Sequence, residues 1–196
     1  SRGAESDVIN VSERFNIVGS VGLVSPNGSE DWRVATTHNI TWTWGGTIPV
    51  VKLYYATDGD QQSPTWQEID SLVTKDYSLD GLQQDGANNS LTRSYTWTIP
   101  DDISPTVKVK IEDASDSTVL DDSDNIFAIR GEFAITAPNG NTDVNLTDRW
   151  VTNESRTVTW TTNGTVPNVK LEYSNDNFVS DVNLIEASVS NTGTYN

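Results

Sequence analysis

The sequence contains no cysteine and no methionine, a single histidine, and fewer than half as many basic as acidic residues. Without cysteine there can be no disulfide, no thiolate nucleophile and no sulfur-ligated metal, and redox reasoning leaves the compartment open. The 12 bases against 28 acids give a formal charge of −16, a field that repels phosphate backbones and anionic lipid surfaces. Nucleic acid and membrane surfaces are thereby disfavoured as partners. No apolar run approaches the roughly 18 residues that span a bilayer, and the start lacks a basic stretch followed by an apolar one. A secretion signal, if the protein uses one, is expected outside this sequence.

What is present is a modest hydrophobic fraction, 35%, enough for small sandwich cores, in a background rich in Asn, Ser, Thr and Asp. Such a composition, free of oxidisable sulfur, points to an extracellular or cell-surface protein. The chain also repeats itself. Ser25-Pro26-Asn27-Gly28 returns as Ala137-Pro138-Asn139-Gly140, and Thr41-Trp42-Thr43 returns as Thr159-Trp160-Thr161. Gly46-Thr47-Ile48-Pro49-Val50-Val51-Lys52-Leu53 returns as Gly164-Thr165-Val166-Pro167-Asn168-Val169-Lys170-Leu171, and Phe15-Asn16-Ile17-Val18-Gly19 matches Phe127-Ala128-Ile129-Arg130-Gly131. The expected organisation is therefore the last strand of one repeat over 1–19, a complete repeat over 20–131 and the start of the next over 132–196. The last piece has no counterpart of Thr106–Arg130, so it is expected to leave core residues such as Trp160 and Leu171 uncovered and to be unstable alone.

Within the complete repeat, apolar residues alternate, as half-buried strands require, and no long stretch holds a helical period. Strands are expected over Val21–Ser25, His38–Trp44, Val50–Thr57, Arg93–Ile99, Thr106–Glu112 and Asn125–Arg130, with turns at Pro26-Asn27-Gly28, Asp58-Gly59-Asp60 and Pro100-Asp101-Asp102. Lys75–Thr92 lacks a strong strand pattern and reads as an insertion or long loop. The fold class is all-β, tandem antiparallel sandwiches of immunoglobulin-like or fibronectin III-like character.

The order of motifs, Pro-Asn-Gly, then Ile40-Thr41-Trp42-Thr43, Val51-Lys52-Leu53-Tyr54-Tyr55, Tyr95-Thr96-Trp97-Thr98-Ile99-Pro100-Asp101, Val107-Lys108-Val109-Lys110-Ile111 and Phe127-Ala128-Ile129, resembles the Ig-like repeat of large secreted or surface proteins of bacteria and archaea. It is more distantly similar to the Ser/Thr-rich, GPI-anchored cell-wall family of fungi. The resemblance implies stalks, spacers, adhesins or cell-envelope components, with neighbouring repeats as partners; the uncovered half-sandwich, separately, leaves open completion by a copy of the chain through the strand around Phe15 and Ile17, as in a filament. The second copy departs from the pattern by inserting Val144-Asn145-Leu146-Thr147-Asp148 before Trp150, which implies a longer first loop.

No catalytic residue is assigned. His38, the only histidine, shares strand parity with Ile40 and Trp42, and its counterpart is Arg156, a poor basis for triad or metal chemistry. Lys52 and Lys170 could form a Lys–Asn isopeptide crosslink only if buried, whereas the alternation points them outward. Seven Asn-X-Ser/Thr triplets, at Asn10, Asn27, Asn39, Asn88, Asn145, Asn153 and Asn163, stand against about four expected by chance from 18 Asn and 44 Ser plus Thr, which leaves glycosylation open. Trp42 and Trp97 read as core; Trp66 and Tyr54 are the exposed aromatics, counterparts of Val182 and Glu172, and two scattered rings fall short of a carbohydrate platform.

The strongest chemical signal is acidic. Glu112, Asp113, Asp116, Asp121, Asp122 and Asp124 fall in thirteen residues with no base among them. Asp113, Asp116, Asp121, Asp122 and Asp124 are the candidate ligands of a Ca²⁺ ion, which takes six to eight oxygens, although the spacing is not that of an EF-hand and a solvated acidic loop is the simpler reading. Two placements are open: at the junction with the next sandwich, which could add oxygens, or at the far end. The connector Arg130-Gly131-Glu132 is too short for a flexible coil and predicts a restricted angle between sandwiches. The expected function is structural or adhesive and non-catalytic, with a polysaccharide-binding module or an accessory domain of a secreted enzyme as the alternatives, and cell-wall or host glycans as possible ligands.

Overall fold

The computed structural model describes residues 12–74, 83–84, 91–140 and 150–196, and every regular element in them is a strand. The first ten are β1 (Ser20–Ser25), β2 (Asp31–Arg33), β3 (Thr37–Gly45), β4 (Val50–Ala56), β5 (Gln67–Thr74), β6 (Gln83–Gln84), β7 (Leu91–Thr98), β8 (Ser104–Asp113), β9 (Leu120–Asp122) and β10 (Phe127–Arg130). They build two sheets, one in the order β1-β3-β7-β6, the other β2-β10-β8-β4-β5 with β9 also on β8. All pairings are antiparallel except β2 with β10.

The six strands expected from alternation are all present. β8 shows why. Val107, Val109 and Ile111 are completely buried, and each contributes about 1.5–3 kcal/mol of hydrophobic stabilisation. Lys108, Lys110 and Glu112 alternate with them on the outer face, where Lys108 pairs with Asp122 at 3.0 Å and Glu112 accepts from Lys110 at 3.1 Å. The two sheets close on one another through rings: Trp97 of β7 lies 5.2 Å from Tyr55 of β4 and 6.1 Å from Trp32 of β2, and Trp32 lies 5.0 Å from Phe127 of β10. Leu23, Ile40, Trp42, Leu53 and Ile129 complete one continuous core, which makes this unit a two-layer sandwich. Additional strands lie outside the six. β2 has three residues, too few to show a period, and β5 opens Gln67-Glu68-Ile69-Asp70, whose polar residues hide its alternation. Of the Lys75–Thr92 segment, β6 and the start of β7 are described; the rest lies outside the described residues.

Five further strands follow: β11 (Glu132–Ala137), β12 (Val158–Asn163), β13 (Asn168–Tyr173), β14 (Asn183–Ser190) and β15 (Thr194–Tyr195). They form a β11-β12-β15 sheet and a β13-β14 pair. Their registers follow those of the first unit. Leu23 pairs with Trp42 and Ile135 with Trp160, each followed by a bulge and a cis proline, Pro26 and Pro138. Val51 faces Val73 and Val169 faces Val189, while Thr41 faces Ser94 and Thr159 faces Thr194. Among the described residues after Glu132, no strand stands in the places of β8 and β10. The packing registers this directly: Ile135 is 50% exposed where Leu23 is 7%, and Tyr173 51% where Tyr55 is 7%. The loop expected at Val144–Asp148 lies outside the described residues.

Candidate functional site

The two units meet at a joint built by four short segments. β10 ends at Arg130 and β11 starts at Glu132, so Gly131 alone separates them. Opposite it, the Pro100-Asp101-Asp102-Ile103 turn of the first unit faces Gly164-Thr165-Val166 of the second. Asp101 Oδ1 accepts the Thr165 amide at 2.8 Å and its Oδ2 accepts the Thr165 hydroxyl. Asn163 Nδ2 donates to the Val34 carbonyl at 2.9 Å. A carboxylate taking two donors is stabilised in its charged form, and these bonds, the hydroxyl's first, hold Asp101 below the ordinary carboxylate range.

Glycine is needed at both sides of the joint. A Cβ at Gly131 would stand 2.9 Å from the Asn163 carbonyl and 3.0 Å from Val166, and Gly164 has φ +90°, with Asp101, Ile103 and Val34 all 3.2 Å from where its Cβ would be. The same arrangement recurs at the opposite end of the first unit. Gly46 has φ +80°, Gly19 lies against Ile48 and the Gly45 carbonyl as Gly131 lies against Val166 and the Asn163 carbonyl, and Thr47 is exposed. Next to the joint, Asp102 accepts the Tyr55 hydroxyl, tying the turn to the core; burial and this carboxylate push the Tyr55 phenol up.

The acidic run is dispersed along the sandwich. β8 runs away from the joint, so Asp113 pairs with Val51 at the far end. Each carboxylate has a local task. Asp113 accepts the Ser115 amide and hydroxyl at 2.9 and 2.7 Å, and Asp116 does the same for Thr118 at 3.0 and 2.6 Å. Asp121 Oδ2 accepts the Leu23 amide at 2.7 Å, clasping β9 to β1 where β1 bulges. Asp122 pairs with Lys108, and Asp124 exchanges two bonds with Asn27 at 2.7 and 2.8 Å. The described residues hold no group of three or more His, Asp or Glu side chains placed to share an ion. The Asp-X-Ser/Thr spacing at 113–115 and 116–118 is an Asx-turn signal that sequence reasoning passed over.

The other candidates are placed as follows. His38 stacks on Trp32 at 4.4 Å and 6°, its Nε2 is 3.0 Å from Thr36 Oγ1, and burial lowers its pKa. Lys52 is on the outer face, 3.7 Å from Glu112. Tyr54 and Trp66 are brought together: the Lys110 ammonium sits 4.4 Å from one ring centroid and 5.3 Å from the other. The two rings therefore share one cation, Tyr54 from β4, whose partner in β5 is Glu68, and Trp66 from the residue just before β5. Trp150, 43% exposed, was not anticipated. Of the glycosylation triplets, Asn39 and Asn153 are exposed, Asn27 is engaged with Asp124 and Asn163 with Val34; Asn10, Asn88 and Asn145 lie outside the described residues.

No family model and no curated protein matches this chain.

Proposed function

We propose that the chain is a non-catalytic structural module of an extracellular tandem-repeat protein, a stalk or spacer in which sandwiches are fixed end to end at a set angle. The observation that carries this reading is the joint. Asp101 holds the Thr165 amide and hydroxyl across the boundary, and the same Gly-Thr-X-Pro seat, with the same glycine approach, stands at the other end of the first unit. A flexible chain of binding modules needs no such matched ends, whereas a stiff array needs one at every boundary. The composition rich in Asn, Ser and Thr supports the extracellular placement. Replacing Asp101→Ala and measuring residual dipolar couplings of both units tests it. The expected result is a loss of fixed mutual orientation with each unit's own amide spectrum retained; an unchanged orientation would reject the joint as the source of stiffness.

A further inference from the structure

The two sheets of the first unit show different chemistry to solvent. The outer face of the sheet containing β4 and β8 is charged, carrying Lys52, Lys108, Lys110 and Glu112. On the outer face of the other sheet, strand pairing sets Thr37, Asn39, Thr41 and Thr43 of β3 beside Ser94, Thr96 and Thr98 of β7, and β1 adds Ser20 and Val24 along the other edge of β3. Among the described residues no ionisable side chain joins them, in a chain of 28 acids and 12 bases. Arg93, between two of these positions, turns the opposite way, onto the ring of Trp44. Strand propensity accounts for threonine at outward positions, but the opposite sheet is built under the same propensity and carries charge. The second unit repeats the pattern: Thr136, Thr159 and Thr194 lie side by side, the first two hydroxyls 2.7 Å apart, with Glu132 at the joint end.

Three properties of the face select a second copy of the chain as its occupant. A formal charge of −16 repels copies wherever acids meet acids, so an uncharged face is where two chains can approach. A hydroxyl or carboxamide both donates and accepts, as Thr96 does in donating to Asn39 at 3.0 Å, so a face made of such groups is complementary to itself. A saccharide also presents hydroxyls, but no aromatic ring stands among the described residues of this face to receive a sugar's apolar side. We propose that two chains pack this face against its equivalent about a two-fold axis, sheet on sheet, giving lateral association. The nine residues of β3 span about 30 Å and three strands about 14 Å, so the contact buries about 400 Å² per copy and about 800 Å² in all, short of the roughly 1,200 Å² at which stable interfaces begin. One face therefore holds a copy weakly, and repetition along an array strengthens the hold without any new kind of contact. Only that extension to arrays rests on the stalk reading; the contact itself lies between chains and uses neither Asp101 nor the joint.

Sedimentation velocity of the whole chain from about 10 to about 500 µM tests it, at about 0.1 M and about 1 M NaCl, where the screening length falls from about 10 Å to about 3 Å. Mean mass is expected to rise above the monomer's with concentration and to rise further in the higher salt, the reverse of a contact held by ion pairs. Ser94→Glu/Thr96→Glu, which sets like charges on both apposed faces, should stay monomeric, whereas Gln62→Glu/Ser63→Glu, the same added charge in the exposed loop between β4 and β5, should associate as the wild type does. The chain has no cysteine, so a nitroxide on Thr96→Cys is the sole label, and mixed with unlabelled, isotope-enriched chain it should broaden amide signals of β3 and β7 and spare those of β5. That measurement decides the matter even if the glutamate pair disturbs folding. A wild-type chain monomeric under every condition, association weakened by salt, association retained by a folded Ser94→Glu/Thr96→Glu chain, or broadening centred on the charged sheet would each overturn the proposal.

Discussion

Replacing Gly164→Ala crowds the joint from within the second unit. Two costs arise if the joint stays closed. Alanine at φ +90° lies at the edge of the left-handed region, a penalty of about 1–2 kcal/mol. The new methyl would also stand 3.2 Å from Asp101 Oδ1, Ile103 Cδ1 and Val34 Cγ2, all three belonging to the first unit, and overpacking of that kind costs about 1–3 kcal/mol. The sum, about 2–5 kcal/mol, can be avoided only in part: opening the joint removes the crowding but not the backbone strain, and it sacrifices the Asp101–Thr165 and Asn163–Val34 bonds. Gly140→Ala is the internal control, since Gly140 has φ +55° and, among the described residues, nothing within 4 Å of the added methyl. Small-angle scattering combined with denaturant unfolding of each variant measures both exits. The expectation is either a destabilisation larger than the control's or a broadened distribution of inter-unit distances for Gly164→Ala, and the backbone cost alone, about 1–2 kcal/mol, with unchanged scattering for Gly140→Ala. Equal behaviour of the two variants would refute the idea that Gly164 serves the joint.

Two other outcomes follow from the same contacts. Ser123 is wholly buried, donating to the Pro26 carbonyl at 2.8 Å and accepting the Val109 amide at 3.0 Å, so Ser123→Ala should lose about 1–3 kcal/mol in urea unfolding by leaving buried polar groups unpaired. Asp101, whose pKa is lowered in the folded chain, contributes to the joint above its ordinary value of 3.8 and loses that contribution as pH falls through its depressed one; the Thr165 amide resonance should therefore titrate with a midpoint below 3.8.

Much of the sandwich was legible because burial imposes a period of two. Ile40 and Trp42, or Val107, Val109 and Ile111, can alternate only if one face of the strand is buried, and the structure buries them all. Strands such as β5 and β14 were not, because each lies at an open side of its sheet, where polar residues such as Glu68, Asp70 and Glu186 break the alternation. The acidic run shows a different limit. Its density pointed to a shared ion, yet density along the chain is not convergence in space: β9 turns back along β8, and the carboxylates separate towards Leu23, Lys108 and Asn27. The joint was half visible. The short Arg130-Gly131-Glu132 connector predicted a restricted angle, and Pro100-Asp101-Asp102 was read as a turn, but the Asp101–Thr165 contact spans 64 residues and no local pattern reports it. The recurrence of Gly-Thr-X-Pro at 46 and 164 was the available clue.

One glycine between β10 and β11 has a consequence for shape at long range. A boundary fixed by Gly131, Asp101, Gly164 and Thr165 imposes one rotation and one translation on the unit that follows. Were the same operation repeated at each boundary of the proposed array, it would generate a screw, and the array would have a single handedness and pitch. In an array of the kind proposed, a change of a few degrees at every boundary would be multiplied along its length, so that its pitch would be a sensitive gauge of a handful of atoms around one carboxylate.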